Sequence, residues 1–315
     1  MQWTDVFPGT CYEEHHINQR TPYKKTNALI YFVAGCIFQN LSPGGAVVLD
    51  TFEDRAKAFV TSNRFDSCSY VDELGGSLYF YYGECVQAKN IYLKSRSYKG
   101  QAFYILVSRG EEYRNHANET LVRDCGSSEE DTSIISGMTY GSIILSQCNY
   151  TKNHVKNSIG CYSTDEVSSV AYISCLNVAE NEQGHSMFAY HSAYNEFKIT
   201  SCNYINNKSP DEESYLIYSD QSDLSMTYCA ISQNQFHFVF WADYCTITFE
   251  KSKIDSATAY TGDDLYSTPV YKSTNIEFQN SCPRLIIVPE AYEIDLQLVC
   301  VRTEAHKFTR LKRIY

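Results

Sequence analysis

For a chain with 13 cysteines, this one lacks the spacing that most often puts them to use, since no Cys-x-x-Cys occurs in its 315 residues. That removes the commonest zinc and thioredoxin-like arrangements, and the odd count leaves at least one thiol without an intramolecular partner. Proline (7) and methionine (4) are scarce, and basic residues (26) are outnumbered by acidic ones (37). The net charge of −11 argues against a nucleic-acid partner, because polyphosphate is repelled at long range. The basic run Arg310, Lys312, Arg313 is read as a solvated terminus. No apolar run reaches the ~18–20 residues that span a bilayer. Ile286 to Val301 comes nearest and is broken by Glu290, Glu293 and Asp295. Met1 to Asp5 does not open as a basic region followed by an apolar one, so no ordinary signal peptide is read there.

What is present is tyrosine, at 27 residues, within a chain that is 43% hydrophobic. Aromatic and β-branched residues suit pleated, half-buried surfaces, so the composition leans toward β-structure.

Self-similarity then opens the sequence. Cys148, Cys175, Cys202 and Cys229 stand 27, 27 and 27 residues apart. Apolar residues precede them by five and three positions: Ile143 and Leu145, Val170 and Tyr172, Phe197 and Ile199, Leu224 and Met226. Two positions after come Tyr150, Asn177, Tyr204 and Ile231. Tyr31, Val33, Cys36 and Phe38 repeat the pattern in full, and Ile247, Phe249, Ser252 and Ile254 repeat it with serine for cysteine. Phe65, Cys68 and Tyr70, and Phe80, Tyr82 and Cys85, match in part.

Period-two alternation is a strand with one buried face, and the one-residue slip before each cysteine is a bend between two strands of one coil. A third strand follows at Gly160–Ser163, Phe188–His191, Leu216–Ser219 and Phe240–Ala242. The fold class is therefore all-β, a parallel β-helix solenoid of about nine coils with three short strands each. Right-handed crossovers are expected. The chain is read as one domain, with coils over residues 28–282 and caps at 1–27 and 283–315. Glu111 to Glu130 reads as a long polar loop, and Asp50 to Ala58 as a short helix or, from Lys57 to Val60, a strand.

An asparagine follows each repeat cysteine, at plus five for Asn153, Asn207 and Asn234 and at plus six for Asn181. Stacked at one corner, these side chains predict a hydrogen-bonded ladder. Length variation concentrates just after it, which places the irregular loops, Pro210 to Glu213 among them, on one edge where partners bind. The cysteines are expected to be reduced and buried, since parallel Cβ vectors ~4.8 Å apart exceed the usual disulfide span.

Cys36-Ile37-Phe38-Gln39-Asn40 followed by Gly44-Gly45-Ala46-Val47 resembles the paired motifs of the polymorphic outer membrane protein repeats of chlamydiae. Cys- and Tyr-rich solenoids of trichomonad surface families are similar, and Gly75-Gly76-Ser77-Leu78 is a near match to the glycine motif. The resemblance implies a pectin-lyase-like right-handed β-helix at a cell surface, with adhesion or immune exposure as its role.

Many β-helices are pectin lyases or polygalacturonases, which need carboxylates that hold calcium or activate water beside a basic residue. Asp263-Asp264 and Asp211-Glu212-Glu213 are the acidic candidates, with no basic neighbour in that manner, and Gly184-His185-Ser186 only echoes a Gly-His-Gly. Cys11, His15 and His16 show no fourth metal ligand. Four glycosylation sequons, at Asn40, Asn118, Asn149 and Asn207, are close to the number expected by chance.

The sequence thus assigns no catalytic, cofactor or metal residue. It points to a non-enzymatic surface or secreted scaffold for adhesion, with a host protein, cell-surface protein or glycan as partner. A carbohydrate-active β-helix enzyme is the first alternative and an intracellular structural protein the second. Acidic side chains converging from successive coils into one groove would favour the enzyme.

Overall fold

The computed structural model describes residues 2–26, 29–127, 133–156, 159–168, 171–184, 187–193, 195–255 and 259–261. These form three long parallel sheets of ten, nine and ten strands, and each coil adds one strand to each sheet. The first sheet runs from Glu14–Ile17 to Ile247–Glu250, the second from Ile37–Gln39 to Lys253–Ile254, the third from Tyr23–Lys25 to Ala259–Thr261. Nine strands in the second sheet make eight turns between its first and last levels. The result is a parallel β-solenoid of the right-handed type.

Inward columns form a core shared by all coils. One column of the second sheet is Phe38, Phe65, Tyr92, Val122, Tyr150, Val178 and Tyr204, each fully buried. Phe65 and Tyr92 stack 4.7 Å apart and nearly parallel, because in-register strands place identical ring positions one coil apart. Buried phenols find partners inside: Tyr162 meets the hydroxyl of Tyr204 at 2.6 Å, and Tyr150 that of Ser136 at 2.8 Å. Tyrosine can therefore line this core where phenylalanine would have no polar handle.

Each coil bends through left-handed residues. Ser62, Lys89, Gln147, Ser201 and Tyr228 hold φ between 52° and 56° at the first corner, and Lys152, Glu180, Asn206 and Gln233 between 55° and 58° at the second. Non-glycine residues dislike this region, but each N–H gains an acceptor on the next coil, a carbonyl as from Gln147 to Ser174 at 2.9 Å or, for Gln233, the Asp255 carboxylate at 3.2 Å. The second-corner asparagine is not the left-handed residue; it follows it.

The asparagine ladder forms. Oδ1 of Asn181 accepts from the backbone and side chain of Asn153, Oδ1 of Asn207 does so for Asn181, and Oδ1 of Asn234 for Asn207, all at 2.9–3.1 Å. Each Nδ2 also donates to a carbonyl of the preceding coil, from Asn153 to Val122 through Asn234 to Tyr204, at 2.7–3.1 Å. A shorter ladder, Asn63 to Asn90, occupies the first corner of earlier coils.

The cysteine series needs a correction. In register, the first-corner column runs Cys36, Asn63, Asn90, Thr120, Cys148, Leu176, Cys202, Cys229, Ser252. Cys175 lies one residue early, at the left-handed bend with φ 53°, and Leu176 fills the core place. The inward residues of that coil are Ala171, Ile173 and Val178, and Tyr172 faces out at 48% exposure. The coil therefore departs in neither respect the sequence suggested: its second-sheet residue is apolar, and Asn181 stands five after the corner. Cys175 is a disulfide cysteine, against the expectation that the series is reduced. Cys148, Cys202 and Cys229 are thiols that donate to the carbonyl two residues back at 3.1–3.4 Å, as the Ser252 hydroxyl does at 2.7 Å. The partial matches also divide: Cys68 sits at the second corner and Cys85 within a first-sheet strand.

One loop reading is overturned and one open reading is resolved. Glu111 to Glu130 contains the strands Arg114–Asn118 and Leu121–Arg123, polar outside but closed inside by Asn115, Ala117 and Val122. Of the two readings of Asp50 to Ala58 the strand holds, over Lys57–Thr61, and no helix forms there. Glu14–Ile17 pairs with Ile30–Ala34 and Tyr23–Lys25 with Val47–Asp50, so the stack starts one coil ahead of residue 28, inside the stretch read as a cap. Ahead of it, Trp3, Val6 and Phe7 pack on the outer side of the first sheet against Phe59 and Val86. There Glu84 joins Lys57 and Arg114, and both cations lie over the Phe7 ring.

Candidate functional site: the outer face of the third sheet

Alternation sends every second residue of the third sheet outward, and in-register pairing lines these residues into columns. One outward column reads Tyr79, Tyr104, Gly137, Ser163, Tyr190, Tyr218, Trp241. The next reads Asp50, Tyr81, Leu106, Thr139, Asp165, Ser192, Asp220, Asp243. Between them the inward residues Thr164, His191 and Ser219 are fully buried.

From the coil of Tyr190 onward the face becomes an aromatic platform. Tyr190 and Tyr218 stack at 5.5 Å and 11°, Trp241 meets Tyr218 at 5.7 Å, and Tyr215 closes on Trp241 edge-on at 4.1 Å. These rings are partly exposed, apart from Tyr215 at 7%. Upstream, the Tyr104 ring lies over Gly137, where a Cβ would collide with it, and Lys99 sits 5.1 Å above the ring.

The flanking carboxylates are wired to this platform. Tyr218 donates to Asp243 at 3.3 Å, and the Ser192 hydroxyl favours the charged forms of Asp165 and Tyr190. Burial pushes the Asp165 carboxyl up, with Glu166 adding to it, and burial with Asp243 one coil away raises Asp220. Among the described residues no cation lies within ion-pair distance of Asp165, Asp220 or Asp243.

Where the sheet turns its corner, the carboxylate column runs into a cleft of about 320 Å³ lined by Arg109, Tyr140, Glu166, Ser192, Asn195 and Gln221. Arg109 donates to the Tyr140 hydroxyl at 2.8 Å and to Glu166 at 3.2 Å, with its guanidinium 4.6 Å above the Tyr140 ring. Ser192 belongs to both column and cleft, so platform, acids and cleft are one continuous surface.

The residues singled out in the sequence lie elsewhere. Asp211 caps its own turn by accepting from the Glu213 amide at 2.9 Å, and Glu212 and Glu213 are exposed in the loop leading to Tyr215. Asp263, Asp264, His185, Arg310, Lys312 and Arg313 fall outside the described residues. His15 and His16 alternate on one strand and face opposite ways: His16 stacks on Tyr23 and Phe38, while His15 meets Tyr12. Of the sequons, Asn207 is fully buried in the ladder and Asn40 is exposed.

The sequence did carry a signal for this face. Tyr190-His191-Ser192, Tyr218-Ser219-Asp220 and Trp241-Ala242-Asp243 repeat an aromatic, any residue, then an acid or hydroxyl at the end of the third strand.

Compared with protein-family models, curated proteins and solved structures, the chain matches none. The likeness to chlamydial and trichomonad surface solenoids thus stands on the sequence motifs and composition alone. No helix of the described residues is long and apolar enough to cross a membrane.

Proposed function

We propose that the protein is a non-enzymatic, glycan-binding β-helix that serves as a displayed or secreted adhesion scaffold. The carrying observation is the aromatic column Tyr190, Tyr218, Trp241 beside the acceptor column Asp165, Ser192, Asp220, Asp243. A pyranose offers an apolar C–H face and an equator of hydroxyls. Aromatic rings take the first, and carboxylates accept from the second with charge-assisted bonds. Successive sugars of an extended chain advance by about one coil, ~5 Å, so the repeat of the protein matches the repeat of the ligand. The display role draws on the motif resemblance.

The test is calorimetric titration of the whole chain with β-1,4-linked hexasaccharides. Tyr218→Ala and Trp241→Ala should each weaken binding about tenfold or more, with unchanged far-ultraviolet circular dichroism. Parental affinity in both variants, or no binding by the parent, refutes the reading.

A second reading has its own observation. Asp165 and Asp220 lie two coils apart, ~9.6 Å along the axis, and both carboxyls are held up by burial. That is near the separation, ~6.5–9.5 Å, of the acid and base in inverting glycosidases. Release of reducing ends, lost in Asp165→Asn and Asp220→Asn, would move the enzyme ahead of the scaffold.

A further inference from the structure

We infer that the glycan taken by this face carries protonated amines, an amino-sugar polymer, and that polyuronates are turned away. The inference rests on the glycan-binding reading and adds its charge class.

The platform is bordered by carboxylates that, among the described residues, have no cation within ion-pair distance. Asp165, Asp220 and Asp243 form one column, Asp220 and Asp243 in adjacent coils, with Glu166 next to Asp165 at the corner. Among the described residues two cations reach this region, and both are engaged. Arg109 is bonded to Glu166 and Tyr140, and Lys99 lies against the Tyr104 ring, acting on Asp165 only at a distance. The exposed Glu212 and Glu213 lead into Tyr215 at the platform's other side. Like charges one coil apart repel, and a ligand cation placed between them removes that repulsion while pairing with both. Ammonium groups spaced by sugar residues along the column meet this need, and the aromatic rings alongside attract cations to their faces. A polyuronate would instead set a carboxylate against each aspartate, an arrangement that costs several kcal/mol in a partly desolvated contact. The chain's net charge of −11 acts in the same direction at long range.

The experiment compares three β-1,4 hexasaccharides on the full chain at one pH: glucosamine (cationic), glucose (neutral) and mannuronate (anionic). The glucosamine hexamer should bind about tenfold tighter than the glucose hexamer, with that advantage shrinking as salt rises. The mannuronate hexamer should bind worst. In Asp220→Asn/Asp243→Asn the glucosamine affinity should fall to that of glucose, and thermal stability should not decline, since a repulsion is removed. Asp243→Asn alone serves if the double variant fails to fold. Equal affinity for glucosamine and glucose with Trp241-dependent binding overturns the charge inference and leaves glycan binding standing. A glucosamine advantage that survives the asparagine variants overturns the assignment to this column. Binding of none of the three refutes the glycan reading itself.

Discussion

Replacing Asn181 by alanine tests the corner ladder at its most connected point. Oδ1 of Asn181 accepts from the Asn153 amide at 3.0 Å and from Asn153 Nδ2 at 2.9 Å. Its Nδ2 donates to the Tyr150 carbonyl at 3.0 Å and to Asn207 Oδ1 at 2.9 Å. Alanine removes all four bonds. At ~1 kcal/mol net for each, the loss is ~4 kcal/mol. Asn153 keeps Val122 for its side chain, but its buried backbone N–H is left without an acceptor, which adds ~1–3 kcal/mol. The total is a large share of the ~5–15 kcal/mol that holds an ordinary domain. Urea unfolding by circular dichroism gives the global value, and hydrogen exchange at the Asn153 amide gives the local one, which should lose protection first. Asn181→Asp sharpens the test. It keeps an oxygen for Asn153 but aims an acid oxygen at the Tyr150 carbonyl and Asn207 Oδ1, so it folds well only when protonated. Its folded pKa is raised above the unfolded value, so its stability must fall as pH rises above ~4, the unfolded pKa of an aspartate, until the folded pKa is passed, and recover in acid. A stability for Asn181→Ala within ~0.5 kcal/mol of the parent would refute the ladder as a source of stability.

Two further outcomes follow from the core. His191 is fully buried between Thr164 and Tyr162, and burial lowers its pKa to about 3, so it is neutral in the fold and the unfolded chain binds the extra proton. Its contribution is complete above pH ~6.5 and is lost as pH falls toward 3, reaching about 2 kcal/mol at pH 5. Asn or Gln cannot titrate, so His191→Gln should flatten that part of the stability profile, and an unchanged slope would refute the assignment. Maleimide labelling of the native chain should reach Cys11, which is partly exposed, while Cys148, Cys202 and Cys229, at 0–1% exposure, stay unmodified until denaturant is added; mass spectrometry showing comparable native labelling of Cys148 would contradict the corner geometry.

The inward half of the fold is legible because packing imposes it. Strands in register put identical positions one coil apart, so Ile143, Leu145, Cys148 and Tyr150 recur as Phe197, Ile199, Cys202 and Tyr204. Cys175 shows where that legibility ends. The residue identity keeps a 27-residue interval while the structural interval becomes 28 and then 26. An apolar leucine at the corner escapes any pattern keyed on cysteine. Glu111 to Glu130 hides its strands for a related reason: Asn115 faces inward and Arg114 and Arg123 outward, so the alternation carries little hydrophobic contrast.

The outer face is hardly legible, and the reason bears on function. Folding sets only weak conditions on an outward column of a solvated sheet. The aromatic column itself proves the point: Gly137 and Ser163 occupy it in the middle coils without interrupting the pairing of their strands. Three large rings in succession at Tyr190, Tyr218 and Trp241 are therefore not required by the solenoid. Nor are the three carboxylates beside them, which among the described residues have no cation within ion-pair distance, since like charges on neighbouring strands destabilise a sheet by themselves. A run of side chains that the fold does not need, partly exposed and opening into a cleft, is the observation on which the proposed glycan reading rests. Rings set against acids at the spacing of the coil are the arrangement a polymer repeating at that spacing would need, so the proposed glycan reading stands or falls on this spacing and not on the architecture.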